Sequence, residues 1–487
     1  MMDEIAFDTA TSLAARLRAG EFKAEELAQH HIDRIEKYDR DINAVVVRDF
    51  ERGLEAARDA DRLLQSKEVT GKPLLGVPMT IKELYHVSGL QTTYGHPELT
   101  ENIPDWDADA VTKHRAAGAV LLGKTNSPVD GGDFQTYNPV YGTTNNPFDL
   151  ERTPGGSSGG SAAALAAGFA AVEAGSDIGG SIRNPAHYSG IFGHKPTWGI
   201  VPQYGHTATL LPNPQTDLVV CGPMGRSAED LRLFLDITLG PEPLEATGWR
   251  VALPEPELAT LSDFRVALWP TDDNAPVSTE ISDRINEIGK LLADSGATVS
   301  DTARPAIDFR KSHEAYQNLL QSIISAGVSP ERRKSNEARA AALDPEDMSD
   351  GALMSRSMVL SHADWLGANA RRQRLRYQWR EFFQDWDILI CPQMATTAFK
   401  HDHSPFMRRT TRVDNLDQPY FQQIFWSGVV TSPLLPSTVF PTGLSTEGLP
   451  VGVQAVGDAY QDYKTIRFAD LITRELGGFV APPAYAD

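Results

Sequence analysis

The sequence predicts an α/β protein, a mixed or parallel β-sheet covered by helices on both faces, and three observations predict it. Short apolar runs closed by turn residues, LLGVPMTI at 74–81, AVLLG at 119–123 and AAVEAG at 170–175, alternate with stretches of helical spacing. A chain of 487 residues with 41% hydrophobic and 23% charged content has the material for a large buried core. No unit repeats at a period of about 20 to 50 residues, which argues against solenoids and propellers.

Taken in order, residues 1–68 read as helices packed on the core. Leu27, Ala28, His31, Ile32 and Ile35 recur at helical spacing, as do Ala56, Ala60, Leu63 and Leu64, and Gly20 is a helix stop. Residues 69–240 hold the three apolar runs, with a helical DADAVTKHRAAG between the first two. Residues 241–410 contain a second βα unit: FRVALW (264–269) as strand, an amphipathic helix at 278–296 on Ile281, Ile285, Ile288 and Leu292, and ATV as the next strand. The polar, proline-interrupted stretch 330–357 reads as a surface helix pair with a mobile loop, part of a mostly helical insertion.

Lys plus Arg number 45 against 65 Asp plus Glu, and the net charge of −20 argues against a nucleic-acid partner, because phosphate contacts need a basic face. Only Cys221 and Cys391 are present, too few for a disulfide framework, which fits a reducing compartment. The first residues carry acids and no apolar h-region, so no signal peptide is expected. No apolar run reaches the roughly 18 residues of a membrane span. A cytoplasmic protein without membrane contact is therefore expected.

One segment stands apart. Between Gly155 and Gly205, 51 residues hold 12 of the 39 glycines and only four formal charges, Glu173, Asp177, Arg183 and Lys195. Ser157, Ser158, Ser161, Ser176, Ser181 and Ser189 lie there. Buried hydroxyls need partners, so the cluster is either a hydrogen-bonded turn network or a catalytic site.

Several motifs fail on context. GAVLLGKT (118–125) fits a P-loop pattern, yet a buried-strand run occupies the place of the loop and Pro128 follows within three residues. GGSSG (155–159) fits the nucleophile elbow around Ser157, but NPFDLERTP precedes it where a central strand is required. His401, Asp402 and His403 in KHDHS read as a solvated loop, and no metal site is expected.

What remains is the Gly/Ser turn at 155–161, SDIGGSIRNPA at 176–186, and an upstream lysine. Ser157 and Ser158 have a bland reading as caps of a helix starting near Gly159. Asp177 and Arg183 read as a structural ion pair. In the functional reading, backbone N–H groups of Ile178, Gly179 and Gly180 around Ser181 form a nest for an oxyanion. A serine without a nearby histidine needs a desolvated lysine as base. Lys82 in PMTIKE and Lys124 in GKT are both candidates, and spacing places neither beside Ser181.

TPGGSSGGSAAALAAG, SDIGGSIRNPAHYSGIFGHKPTWGIVP and GVPMTIKE together resemble the amidase signature family of serine hydrolases. The opening helices, GKTNSPVDGGDFQTYNPVYGTTNNPFD, DILICP and the closing PTG…GLPVGVQAVG…D also follow that pattern, so the resemblance covers nearly the whole chain. It implies one large α/β/α domain whose mixed sheet is wrapped by helices, with 411–487 returning to the core. It also implies a Ser-cisSer-Lys triad: Ser181 as nucleophile, Ser157 as relay after a cis peptide from Gly156, and Lys82 as general base. The oxyanion hole would be the amides of Ile178, Gly179, Gly180 and Ser181, with Ser158, Ser176, Asp177 and Arg183 in support and Lys124 structural. No cofactor is implied, and a homodimer is.

The expected reaction is hydrolysis of a small carboxamide or anilide through an acyl-enzyme, with esters or carbamates as side substrates and activity rising toward alkaline pH as the lysine loses its proton. The alternative is the glutamine-hydrolysing component of a tRNA-dependent amidotransferase. GHKPTWGIVPQYG stands where those components resemble GLKPTYGRVSRYG, and that loss of basic residues, with the net charge of −20, weighs against it. Tyr137, Phe192, Trp198 and Trp426 are candidate pocket walls, and 245–410 is expected to contribute to substrate selection.

Overall fold

The computed structural model describes residues 5–486 apart from 212 and 348. Its strands are β1 Val45–Arg48, β2 Pro78–Lys82, β3 Val120–Thr125, β4 Tyr137–Asn138, β5 Gly142–Thr143, β6 Val172–Asp177, β7 Phe192–Lys195 and β8 Val220–Gly225. They continue as β9 Arg265–Leu268, β10 Thr298–Ser300, β11 Ile388–Cys391, β12 Thr410–Val413, β13 Leu416–Pro419, β14 Ser437–Leu444 and β15 Pro450–Val456. Eleven of them form one mixed sheet in the order β1-β3-β2-β6-β8-β7-β14-β15-β11-β9-β10, while β4 with β5 and β12 with β13 make separate ribbons.

β2 runs parallel to β3 and β6, and β9 runs parallel to β10 and β11. The other neighbours in the sheet are antiparallel. Every residue of β2, β3, β6, β7, β8, β11 and β15 is buried, which requires cover on both faces. Helices supply it. Ala24–Ile42 buries Leu27, Ala28, His31, Ile32 and Ile35, the stripe that the spacing predicts. Thr279–Asp294 buries Ile281, Ile285, Ile288 and Leu292 in the same way. Helices Phe309–Ile324, Pro330–Ala341, Asp350–Ser357 and His362–Asp385 make up the insertion, the middle two being the surface pair expected at 330–357.

Two local expectations are corrected. The opening 68 residues are not all helical: Asn43 ends a helix in the left-handed region (φ 58°), and the β-branched run Val45–Val47 then pairs with β3 as an edge strand. The run 74–81 is a strand only from Pro78, because Gly76 at φ 84° turns the chain and directs Leu74 and Leu75 into the core from outside the ladder.

Candidate active site

Parallel pairing of β2 with β6 decides the site. The register sets Ile81 opposite Ala174, so the strands end together with Lys82 on one and Ser176 and Asp177 on the other. The chain leaves β6 through Ile178–Ser181 into the helix Arg183–Ser189. The turn 155–158 enters the helix Gly159–Ala166, and its Ser158 N–H donates to Ser181 O at 3.1 Å, which joins the two serine turns. The peptide bond between Gly156 and Ser157 is cis, where the resemblance implied it.

Lys82 Nζ lies 2.6 Å from Ser157 Oγ and donates to Ser176 Oγ at 3.0 Å. Exposure rises from 0% at Lys82 through 2% at Ser157 to 8% at Ser181, so the proposed nucleophile is the member nearest solvent. Burial pushes Lys82 down to about 7, against the opposing pull of Asp177, Cys221 and Glu173. Burial likewise pushes Glu173 up to about 7, despite donors from Thr80, Thr125 and Ser161.

The other sequence-identified residues divide clearly. Lys124 is equally buried, but its Nζ donates to Gln91 O at 2.6 Å and Thr92 Oγ1 at 2.7 Å, a structural position. Asp177 and Arg183 form a fully buried pair at 2.9 Å, with further donors to Asp177 from the Gly180, Ile182 and Arg183 amides. Burial opposes that carboxylate, yet the Arg183 charge and its hydrogen bonds hold it down at about 2. Arg183 extends to Thr431 Oγ1 and Gln454 Oε1, tying the turn to the C-terminal strands.

Three expectations change here. The Gly180 amide, assigned to the oxyanion nest, donates to Asp177 Oδ1 at 2.8 Å, so a carboxylate occupies that donor. Gly180 sits at φ 103°, and a side chain there would collide with Ser427 Oγ and come within 2.6 Å of Gln393 Nε2. Ser158 is the residue before the helix but makes no side-chain cap bond; its Oγ faces the Ser176 backbone at 3.4 Å instead. Of the four aromatic candidates, Phe192 lies in the main core, the Trp426 indole donates to Ala275 O and the Tyr137 hydroxyl accepts from Arg409, whereas Trp198 packs in the same apolar cluster as Ile178, Tyr316 and Ile424.

Residues without a sequence signal also border the turn. A Cβ at Gly179 would stand 3.4 Å from Ile424 Cδ1 and 3.5 Å from Tyr316 Oη, and the Tyr316 hydroxyl donates to Ile178 O at 2.9 Å. Tyr316 comes from the helical insertion. Along the same helix lies a cavity of about 350 Å³, bordered by Arg310, His313, Asn318 and Phe425. His206 Nε2 lies 2.9 Å from Ser176 Oγ, and Lys195 is a third buried lysine, donating to Leu435 O and Pro196 O. Neither has a spacing motif, since His206 reaches Ser176 and Lys195 reaches Leu435 through tertiary packing.

A family model described as Amidase matches residues 26–466. The chain is 31% identical over 501 residues to fatty-acid amide hydrolase 2-B of Danio rerio, spanning 97% of this chain and 90% of that protein. It is 30% identical over 474 residues to the A component of the glutamyl-tRNA(Gln) amidotransferase of Desulfatibacillum aliphaticivorans, spanning 93% of this chain and 94% of that one. A solved inhibitor-bound complex, described as revealing the origins of an s-triazine catabolic enzyme, matches with TM-score 0.80 at 26% identity over 97% of this chain and 100% of that one.

Proposed function

The chain belongs to the amidase family and is a hydrolase of carbon–nitrogen bonds other than peptide bonds; from that premise we propose that it cleaves a carboxamide or anilide to a carboxylate and an amine or ammonia through an acyl-enzyme on Ser181. The observation that carries this reading is Lys82 Nζ at 2.6 Å from Ser157 Oγ, inside a centre where burial holds the lysine near neutrality.

Neutral Lys82 takes the Ser157 proton while Ser157 takes that of Ser181. Ser181 Oγ bonds the carbonyl carbon, and the C=O electron pair moves to oxygen. Amides of Ile178, Gly179 and Ser181 serve that oxyanion, with Gly180 N–H left to Asp177. Collapse breaks the C–N bond, and the Lys82 proton returns through Ser157 to the departing amine. Water then attacks the ester by the same relay, releasing the acid and restoring Ser181. Asp177 and Arg183 hold the turn, and Tyr316 fixes the Ile178–Gly179 peptide from the insertion side.

Mass spectrometry after phenylmethylsulfonyl fluoride tests the nucleophile, with an adduct expected on Ser181; an adduct confined to another residue overturns the assignment. A turnover screen across primary amides, anilides, peptide amides, carbamates and free glutamine then fixes the class. Glutamine hydrolysis with no turnover of the other amides would replace this reading with that of an amidotransferase component.

A further inference from the structure

Beyond Lys82 the hydrogen bonds continue in a direction that the mechanism above leaves unused. Ser176 Oγ takes a bond from Lys82 Nζ at 3.0 Å and lies 2.9 Å from His206 Nε2. His206 is half-buried on the coil after β7, its ring edge-on to Tyr85 at 4.8 Å and near Tyr94 at 6.2 Å. Its backbone bridges that of Tyr85, three residues beyond Lys82.

A neutral lysine has two N–H donors and one lone pair, and it acts as a base on Ser157 only if the lone pair faces that hydroxyl. Its N–H must then go to Ser176, which accepts on oxygen and has one proton to place elsewhere. His206 Nε2 stands where that proton can be received. We infer that His206 is a positioning residue for the base: by accepting from Ser176 it fixes the direction of every hydroxyl in the chain and leaves the Lys82 lone pair on Ser157. This inference rests on the reading of Lys82 as the base.

The imidazole therefore carries its proton on Nδ1. Were Nε2 to donate instead, the Ser176 hydroxyl would turn to the Lys82 lone pair and compete with Ser157. Burial, followed by the charge of Lys82 and then of His86, pushes His206 down to about 3, so the ring stays neutral while Lys82 titrates. The titratable groups facing this row are Tyr85, His86 and Tyr94 around His206, and Asp177, Glu173 and Cys221 around Lys82.

The test measures the pH dependence of the rate at which phenylmethylsulfonyl fluoride labels Ser181 in the full chain, which reads nucleophile activation without a known substrate. His206→Phe keeps the ring packing and removes the acceptor; His206→Gln offers an amide oxygen in its place. The Phe variant is expected to label roughly tenfold more slowly at its plateau. Its acid limb should move to lower pH, because a Ser176 hydroxyl turned onto the lysine lone pair favours the neutral amine. The Gln variant should recover most of the rate, and His206→Phe should add no further loss in a Ser176→Ala background. A His206→Phe protein with the parent's rate and acid limb overturns the inference, as does a full loss that persists without Ser176. If Lys82→Ala labels like the parent, the lysine-base reading falls and the inference with it; slow labelling of Lys82→Ala beside parent-like His206→Phe sinks this inference alone.

Discussion

Replacing Lys82 with Met should make the protein more stable near neutrality while removing its activity. Burial, opposed by Asp177, Cys221 and Glu173, depresses the lysine from 10.5 to about 7, so in that interval the unfolded chain binds a proton that the folded protein does not. Stability therefore rises with pH between those values, and the cost of holding the group is largest below the lower one. At about 1.4 kcal/mol per tenfold, that cost is on the order of 4 kcal/mol at about pH 7 and about 1 kcal/mol at about pH 9.5. The lysine's bonds to Ser157 and Ser176 return about 1 kcal/mol each. Lys82→Met is thus expected to gain roughly 2 kcal/mol at about pH 7 and to lose roughly 1 kcal/mol at about pH 9.5. Urea unfolding of parent and variant at both pH values reads the difference. Turnover should fall by about 10²- to 10⁴-fold, and the parent's rate should rise with pH through about 7. A variant less stable than the parent by the same amount at both pH values would refute the reasoning, because it would show a lysine that is charged and well accommodated in the fold.

Asp177→Asn leaves the Arg183 guanidinium buried without its counter-charge and should cost about 3–5 kcal/mol in a denaturant titration. The parent's share from this carboxylate, held at about 2 against an ordinary 3.8, is present above 3.8 and lost as pH falls toward 2; acid unfolding of parent and variant should differ across that window. Gly180→Ala drives a methyl group into Ser427 and Gln393 at a positive φ and should lower stability by about 1–3 kcal/mol. Its Ser181 labelling should slow more than its unfolding midpoint explains, since the turn carrying the nucleophile is displaced.

The parts of the fold that were legible were those with a period. The stripes on Ala24–Ile42 and Thr279–Asp294 follow from 3.6-residue spacing, and the buried strands from apolar runs between turns. β1 escaped because four residues after a helix carry too little pattern; only its partner β3 makes them a strand. At the site, Ser157, Ser158, Ser176 and Ser181 stood out as a small-residue cluster depleted in charge. Asp177 and Arg183 could be paired because six positions along a turn leave them within reach.

Sequence by itself determined where the candidate chemistry lies, because a charge-poor run of serines and glycines and two lysines closing apolar strands are visible without any tertiary contact. It did not rank Lys82 against Lys124 on spacing alone: each ends an apolar strand, and each is fully buried and depressed in pKa by that burial. Tertiary structure decided between their neighbourhoods, since the β2 and β6 register sets Lys82 beside Ser157 and Ser176 while β3 delivers Lys124 to Gln91 and Thr92. Tyr316, Ile424 and His206 entered the site only through folding. Local sequence sets what a residue is able to do, whereas the charge state of a buried amine and the direction of a hydroxyl proton depend on neighbours that long-range packing alone supplies.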